Sequence, residues 1–112
     1  MKSLLFCIRL KKNKIDLFKQ FVSQTEREKS HEWKSMLERY DLYDVKIWYK
    51  NMNGIDYVFV NHTAGSHFKE KIKHWASSSN AFDQWFDKQI MSYYDEGPVD
   101  SAADLLLALD VK

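Results

Sequence analysis

The sequence predicts one α+β domain in which helices cover one face of an antiparallel sheet, in the order β-α-β-β-α-(α)-β. Three observations carry this. Short apolar runs without helical spacing stand at residues 4–10, 45–49 and 55–62. A 3.6-residue periodicity runs through residues 14–40, and further amphipathic helical blocks follow the third run. Asn53 and Gly54 sit between the second and third runs, where a tight hairpin turn needs positive φ. A chain of 112 residues is long enough to bury one core and too short for two.

The elements follow in order. In the first strand Leu4, Phe6, Ile8 and Leu10 alternate with Leu5, Cys7 and Arg9. Both faces are largely apolar, so both are expected to be covered. Lys11, Lys12 and Asn13 make a polar turn into the long helix. Its stripe begins with Ile15, Phe18, Phe21 and Val22 and resumes with Trp33, Met36, Leu37 and Tyr40. Between them the same helical face passes through Thr25, Glu28, Lys29 and Glu32. A core-facing stripe carries carboxylates only where they are paired, hydrated or used, so this break points to a polar pocket under the helix. Asp41 ends the helix, and residues 45–49 and 55–62 form a hairpin. Ile55, Tyr57 and Phe59 share one face of the third strand; Val58 and Val60 share the other with Asp56 and His62.

Ser66 is placed to cap a second helix with the stripe Phe68, Ile72, Trp75 and Ala76. Asn80 is placed to cap a third, with Asp83 near its positive end and the stripe Phe82, Phe86, Ile90 and Tyr93. Gly97 and Pro98 stop it. Residues 105–111, rich in leucine, are read as a fourth strand covering the sheet edge. This order is the split βαβ, or ferredoxin-like, arrangement. Two helices cover one sheet face; the other stays apolar, and a second copy packed face to face is the simplest cover, giving a two-fold dimer.

Composition narrows the function. The balance of 17 basic against 16 acidic residues, net +1, argues against nucleic acid or an anionic membrane surface as a partner. No apolar run approaches the length of a signal sequence or a membrane span. One cysteine, Cys7, forbids an internal disulfide, and the reducing cytoplasm is the simplest setting. Three glycines, none in a phosphate-binding pattern, exclude a P-loop and a dinucleotide fingerprint. His31, His62, His67 and His74 lack zinc-ligand spacing. No cofactor is expected.

Several stretches carry a family resemblance. Cys7-Ile8-Arg9-Leu10-Lys11 in the first strand, Glu32 and Leu37 on the long helix, Asp56-Tyr57 in the third strand and Asp83-Gln84-Trp85-Phe86 in the last helix are similar to a small bacterial family of unknown function. That family lies within the dimeric α/β-barrel superfamily. Trp33, Ile47-Trp48 and Trp85-Phe86 resemble, more distantly, the rhamnose mutarotases. Their catalytic histidine falls one helical turn before the tryptophan, where this chain has Lys29. The resemblance implies the barrel fold, the dimer and the pocket location, and departs from mutarotase chemistry at that position.

The candidate chemistry gathers at the polar break. Glu28 and Glu32 are one helical turn apart, and two carboxylates in one pocket can divide acid and base roles. Solvation beside Arg27 and Lys29 is the plainer account. Trp48, Tyr57 and Trp85 suit a flat or sugar-like ligand, and equally suit a core. Arg9 would bind a carboxylate or close a salt bridge at the dimer interface. Asp83 would orient a ligand or the long helix. These residues frame one functional expectation: a small polar molecule bound or isomerised between the long helix and the sheet, with Glu32 as acid or base. Two alternatives stand beside it: a non-catalytic dimeric module, and a cofactor-free monooxygenase of the barrel type.

Overall fold

A computed structural model describes residues 1–111. The elements are β1 (Lys2–Arg9), α1 (Ile15–Glu28), α2 (Ser30–Arg39), β2 (Lys46–Met52), β3 (Ile55–Ala64), α3 (Phe68–Lys71) and α4 (Ala81–Tyr93). A 3-10 turn, Ile72–His74, continues α3, and another, Pro98–Ser101, follows α4. The fold is α+β, with a three-stranded antiparallel sheet in the order β1-β3-β2.

The hairpin forms where the turn residues demand it. Asn53 and Gly54 hold φ of 54° and 81°, and the Gly54 amide donates to Asn51 Oδ1 at 3.2 Å. Register then fixes which side chains share a face. Phe6 lies opposite Val60 and Ile8 opposite Val58, while Ile47 and Tyr49 of β2 flank the same two valines. This face is the floor of the core: Ile8 and Val58 are 1% and 0% exposed. Phe18 and Phe21 of α1, with Ile90 of α4 and Tyr94 just after it, close over it. A second cluster, Trp33, Met36, Leu37 and Tyr40, joins α2 to α3 and α4 through Ile72, Trp75, Phe82 and Phe86. Phe86 packs against both clusters.

The long helix expected over residues 14–40 is two helices. Lys29 leaves helical geometry at φ −130°, ψ 28°, and α2 sets off from Ser30 in a new direction. Amide bonds cross the break, from Lys29 to Thr25 and from Trp33 to Lys29, so the chain is bent without being unwound. Thr25, four residues before the bend, is 1% exposed and donates its hydroxyl to the Phe21 carbonyl at 2.6 Å. Such back-bonding satisfies the hydroxyl in the core and bends helices. The second helix is also shorter than expected. His67, not Ser66, precedes it, and its amide is held by Asp41 Oδ2 at 2.8 Å. Phe68, Ile72 and Trp75 still reach the core, while Ala76 is exposed. Asn80 caps α4 as expected, accepting from the amides of Phe82 and Asp83.

The expected fourth strand over residues 105–111 is not formed. The chain returns beside the outer edge of β1, where Ala102 lies opposite Phe6 and the Ala103 amide donates to the Leu5 carbonyl at 2.7 Å. In that antiparallel register Lys2 to Leu5 of β1 would face residues 103–106, but the pairing stops after the Ala103 bond. Leu105, Leu106, Leu107, Leu109 and Val111 are 70–99% exposed.

Candidate functional site

The residues singled out from sequence do not meet in one pocket. Glu28 and Glu32 fall on either side of the bend and are both exposed; Glu28 accepts a hydrogen bond from Gln24 Nε2 at 3.3 Å. The bend therefore turns the polar residues outward: Thr25 enters the core, and Glu28 and Glu32 face water. Lys29 lays its ammonium over the Trp85 ring, 4.7 Å from the centroid. Trp85 itself is half-buried against Phe21 and Phe82, as a wall of the core.

Asp83 is the one candidate that is deeply buried, at 1% exposure. It sits in the first turn of α4 and receives the Tyr40 hydroxyl and the Ser78 hydroxyl, each at 2.7 Å. The Arg39 guanidinium also pairs with it. Burial alone would push this carboxyl up. The hydrogen bonds from Arg39, Tyr40 and Ser78, with the guanidinium charge, outweigh burial and hold it below the usual carboxylate range. Desolvation and the neighbouring carboxylate raise the Tyr40 phenol in turn. An ionised carboxylate whose oxygens are filled by three donors from its own chain fastens the end of α2 to the start of α4. Arg39 and Ser78 did not stand out from sequence, where they lie 44 and 5 residues from Asp83. The available signal was Asp83 seven residues before Ile90, on the buried side of α4.

Trp48 and Tyr57 do come together, on the sheet face opposite the helices. Across β1, β3 and β2 that face reads Leu5-Asn61-Lys46, Cys7-Phe59-Trp48 and Arg9-Tyr57-Lys50 in successive rows. Trp48 is 53% exposed and Leu5 39%. Neither core cluster includes Leu5, Cys7, Trp48, Tyr57 or Phe59. Arg9, at one end of the face, donates from Nε to Asp95 at 2.7 Å; both side chains are well exposed, so the pair contributes little to stability.

One open groove of about 390 Å³ lies between α1 and the edge strand β2, with Ile15, Phe18, Val22, Ile47, Trp48 and Tyr49 in its walls. Lys19 spans it, its ammonium 4.7 Å from the Tyr49 ring centroid. The groove holds none of Glu28, Glu32, Asp83 or Trp85. Among the described residues no three His, Cys, Asp or Glu side chains converge on a point that would hold a metal ion, and no helix is long and apolar enough to cross a membrane. No family model, curated protein or solved structure matches the chain.

Proposed function

We propose that this chain is a non-catalytic interaction module: a ferredoxin-like domain that pairs with a second copy through the open face of its sheet, as in a dimeric α/β barrel. The observation that carries this reading is the central row of that face, Cys7, Phe59 and Trp48, flanked by Leu5 and Tyr57 and left outside the core. A contiguous apolar sheet face is a site of association. Sheets stack about 10 Å apart face to face, close enough for these side chains to interdigitate. A two-fold axis makes the same patch serve both partners.

The catalytic alternative loses its main support. An acid–base role for Glu32 needs the carboxylate beside a ligand, and Glu32 stands in water away from the groove. Asp83, the buried carboxylate, has its oxygens taken by Arg39, Tyr40 and Ser78.

Light scattering at micromolar concentration tests the module reading. The expected mass is twice 13.4 kDa. Phe59→Glu, which places a charge at the centre of the open face, should give a folded monomer by circular dichroism. A wild-type monomer, or a Phe59→Glu variant that still dimerises as tightly, would refute the reading.

A further inference from the structure

The open groove between α1 and β2 touches Ile47, Trp48 and Tyr49, three consecutive residues of one strand. Side chains alternate between the faces of a strand, so a groove that meets all three lies along its outer edge. The opposite wall is α1, through Ile15, Phe18 and Val22. No strand lies beside β2 among the described residues. A groove bounded by a helix and a free strand edge suits an extended segment, which joins the sheet as a further strand.

The ladder fixes which backbone groups are free. The Leu10 amide donates to the Asp56 carbonyl, one step beyond the pairing of Arg9 with Tyr57. Asp56, Val58 and Val60 therefore turn their backbone groups toward β1, and Tyr57, Phe59 and Asn61 turn theirs toward β2. On the outer edge of β1 the same alternation leaves Leu5 and Arg9 to accept from the Ala103 and Asp95 amides. In β2 the partners of Tyr57, Phe59 and Asn61 are Lys50, Trp48 and Lys46. Ile47 and Tyr49, between them, point their amides and carbonyls outward, and no backbone group among the described residues meets them.

An antiparallel segment would exchange hydrogen bonds with Ile47 and with Tyr49. Its two bonding residues stand about 7 Å apart and send their side chains to the helix side. There the groove offers Ile15, Phe18, Val22 and Ile47. The residue between them lies level with Trp48 and points the other way, flanked by Lys46 and Lys50.

Charge selects the occupant. Lys46 and Lys50 are exposed, and neither makes an ion pair among the described residues. Asp44, two residues before Lys46, already accepts from the Thr63 amide and hydroxyl at 2.7 and 3.0 Å. The rows of the open face that contain the two lysines hold no acid. On the helix side Lys19 and Arg27 meet Glu26, with Asp16 and Asp56 toward Tyr49, so that side suits an uncharged residue. A second copy of β2 fits badly. Antiparallel pairing about Trp48 sets Lys46 opposite the partner's Lys50, and like charges directly opposite are destabilising.

We propose that the α1–β2 edge binds an extended acidic segment of a partner protein as an added strand. Aliphatic side chains of that segment enter the groove opposite Ile47 and Tyr49, and the acid between them reaches Lys46 and Lys50. The groove opens on the helix side, so this holds whether or not the open face pairs two copies. Random octapeptides displayed on phage and selected on the full chain test it. Enrichment of sequences that alternate aliphatic and acidic residues is expected; no enrichment, or enrichment of basic sequences, would overturn the proposal. The most enriched peptide, added to isotope-labelled chain, should shift the amide resonances of Ile47, Tyr49 and residues 15–27. Shifts confined to other surfaces would refute the site. Lys46→Glu with Lys50→Glu changes two exposed residues and should leave the circular dichroism unchanged. It should weaken the acidic peptide at least tenfold and tighten a version with lysine in place of each acid. Unchanged binding of both peptides refutes the charge selection. Nuclear Overhauser contacts between the β2 strands of two differently labelled copies would place a second copy at this edge and overturn the proposal, whereas the mass by light scattering bears on the open face alone.

Discussion

Replacing Asp83 with alanine tests the join between α2 and α4. The carboxylate is 1% exposed and accepts from the Tyr40 and Ser78 hydroxyls and from the Arg39 guanidinium. Alanine strands the Tyr40 and Ser78 hydroxyls and leaves the Arg39 guanidinium with Asn80 Oδ1, at 3.2 Å, as its remaining acceptor. Tyr40 is 6% exposed and its hydroxyl has no ready access to water, whereas the Arg39 side chain is 34% exposed and rehydrates in part. Breaking a fully buried ion pair costs about 3–5 kcal/mol, and the partial exposure of Arg39 places this one at the lower end, about 3 kcal/mol. With a urea slope of about 1.5 kcal/mol/M, the unfolding midpoint should fall by about 2 M. In an Arg39→Met background the same Asp83→Ala change should cost clearly less, because the guanidinium is already gone; a coupling of about 1–2 kcal/mol is expected. The carboxylate also sets a pH dependence. Its folded pKa lies below its ordinary value, so the contribution is fully present above about pH 3.9 and is lost as pH falls from there through the folded pKa. A loss below about 1 kcal/mol for Asp83→Ala, with no coupling to Arg39, would refute the view that this cluster fastens the two helices.

Phe86→Ala should destabilise by about 3 kcal/mol or more in chemical melts, and Trp85→Ala by less, because Phe86 stacks with Phe21, Trp33, Trp75 and Phe82 across both clusters. Trp85 meets Phe21 and Phe82 and otherwise lies beneath Lys29. Gly65→Ala should lower the melting temperature by roughly 5 °C, read by calorimetry: a Cβ there would sit 2.1 Å from Asp41 Oδ2 and drive that carboxylate off the His67 amide. His62 is pushed down by burial, against the weaker opposing pull of its bond to the Asp44 carbonyl at 2.7 Å and of the Asp44 charge. Its folded pKa therefore lies below that of the unfolded chain, and stability should fall as pH drops below about 6.5. His62→Gln should flatten the decline of melting temperature between pH 7 and pH 5.

Features set by local chemistry were legible in the sequence. Asn53-Gly54 made the hairpin because few other pairs hold two positive φ angles, and Asn80 capped α4 because its side chain reaches the two free amides of the first turn. The two faces of β3 followed from alternation alone. The Asp83 cluster was not legible as a whole, because its members come from α2, the loop at Ser78 and α4. Only folding brings Arg39 and Tyr40 to a carboxylate more than 40 residues away. The tail was misplaced for a similar reason. Its strand pattern is present, but whether a strand forms depends on the chain staying on an edge, and pairing with β1 stops after Ala103.

The polar interruption in the long helix shows how periodicity misleads when the axis bends. Counting at 3.6 residues per turn from Phe18 and Phe21 puts Thr25, Glu28, Lys29 and Glu32 on the core side, which makes two glutamates look buried. A threonine bonded to its own helix and one residue at φ −130° reset the axis, and the count restarts with Trp33. The same residues then need no pocket: Thr25 is satisfied in the core, Lys29 covers Trp85, and both glutamates are hydrated. The apolar surfaces left open lie elsewhere, in the Cys7-Phe59-Trp48 row of the open face and in the apolar side of residues 105–111, and the buried polar side-chain atom left without a partner among the described residues is Arg39 Nε, beside Asp83. Both apolar surfaces lack a partner in the single chain, and neither presents the buried, unpaired polar group that an acid–base site requires. That asymmetry is why we propose association, rather than chemistry under the helix, for this fold.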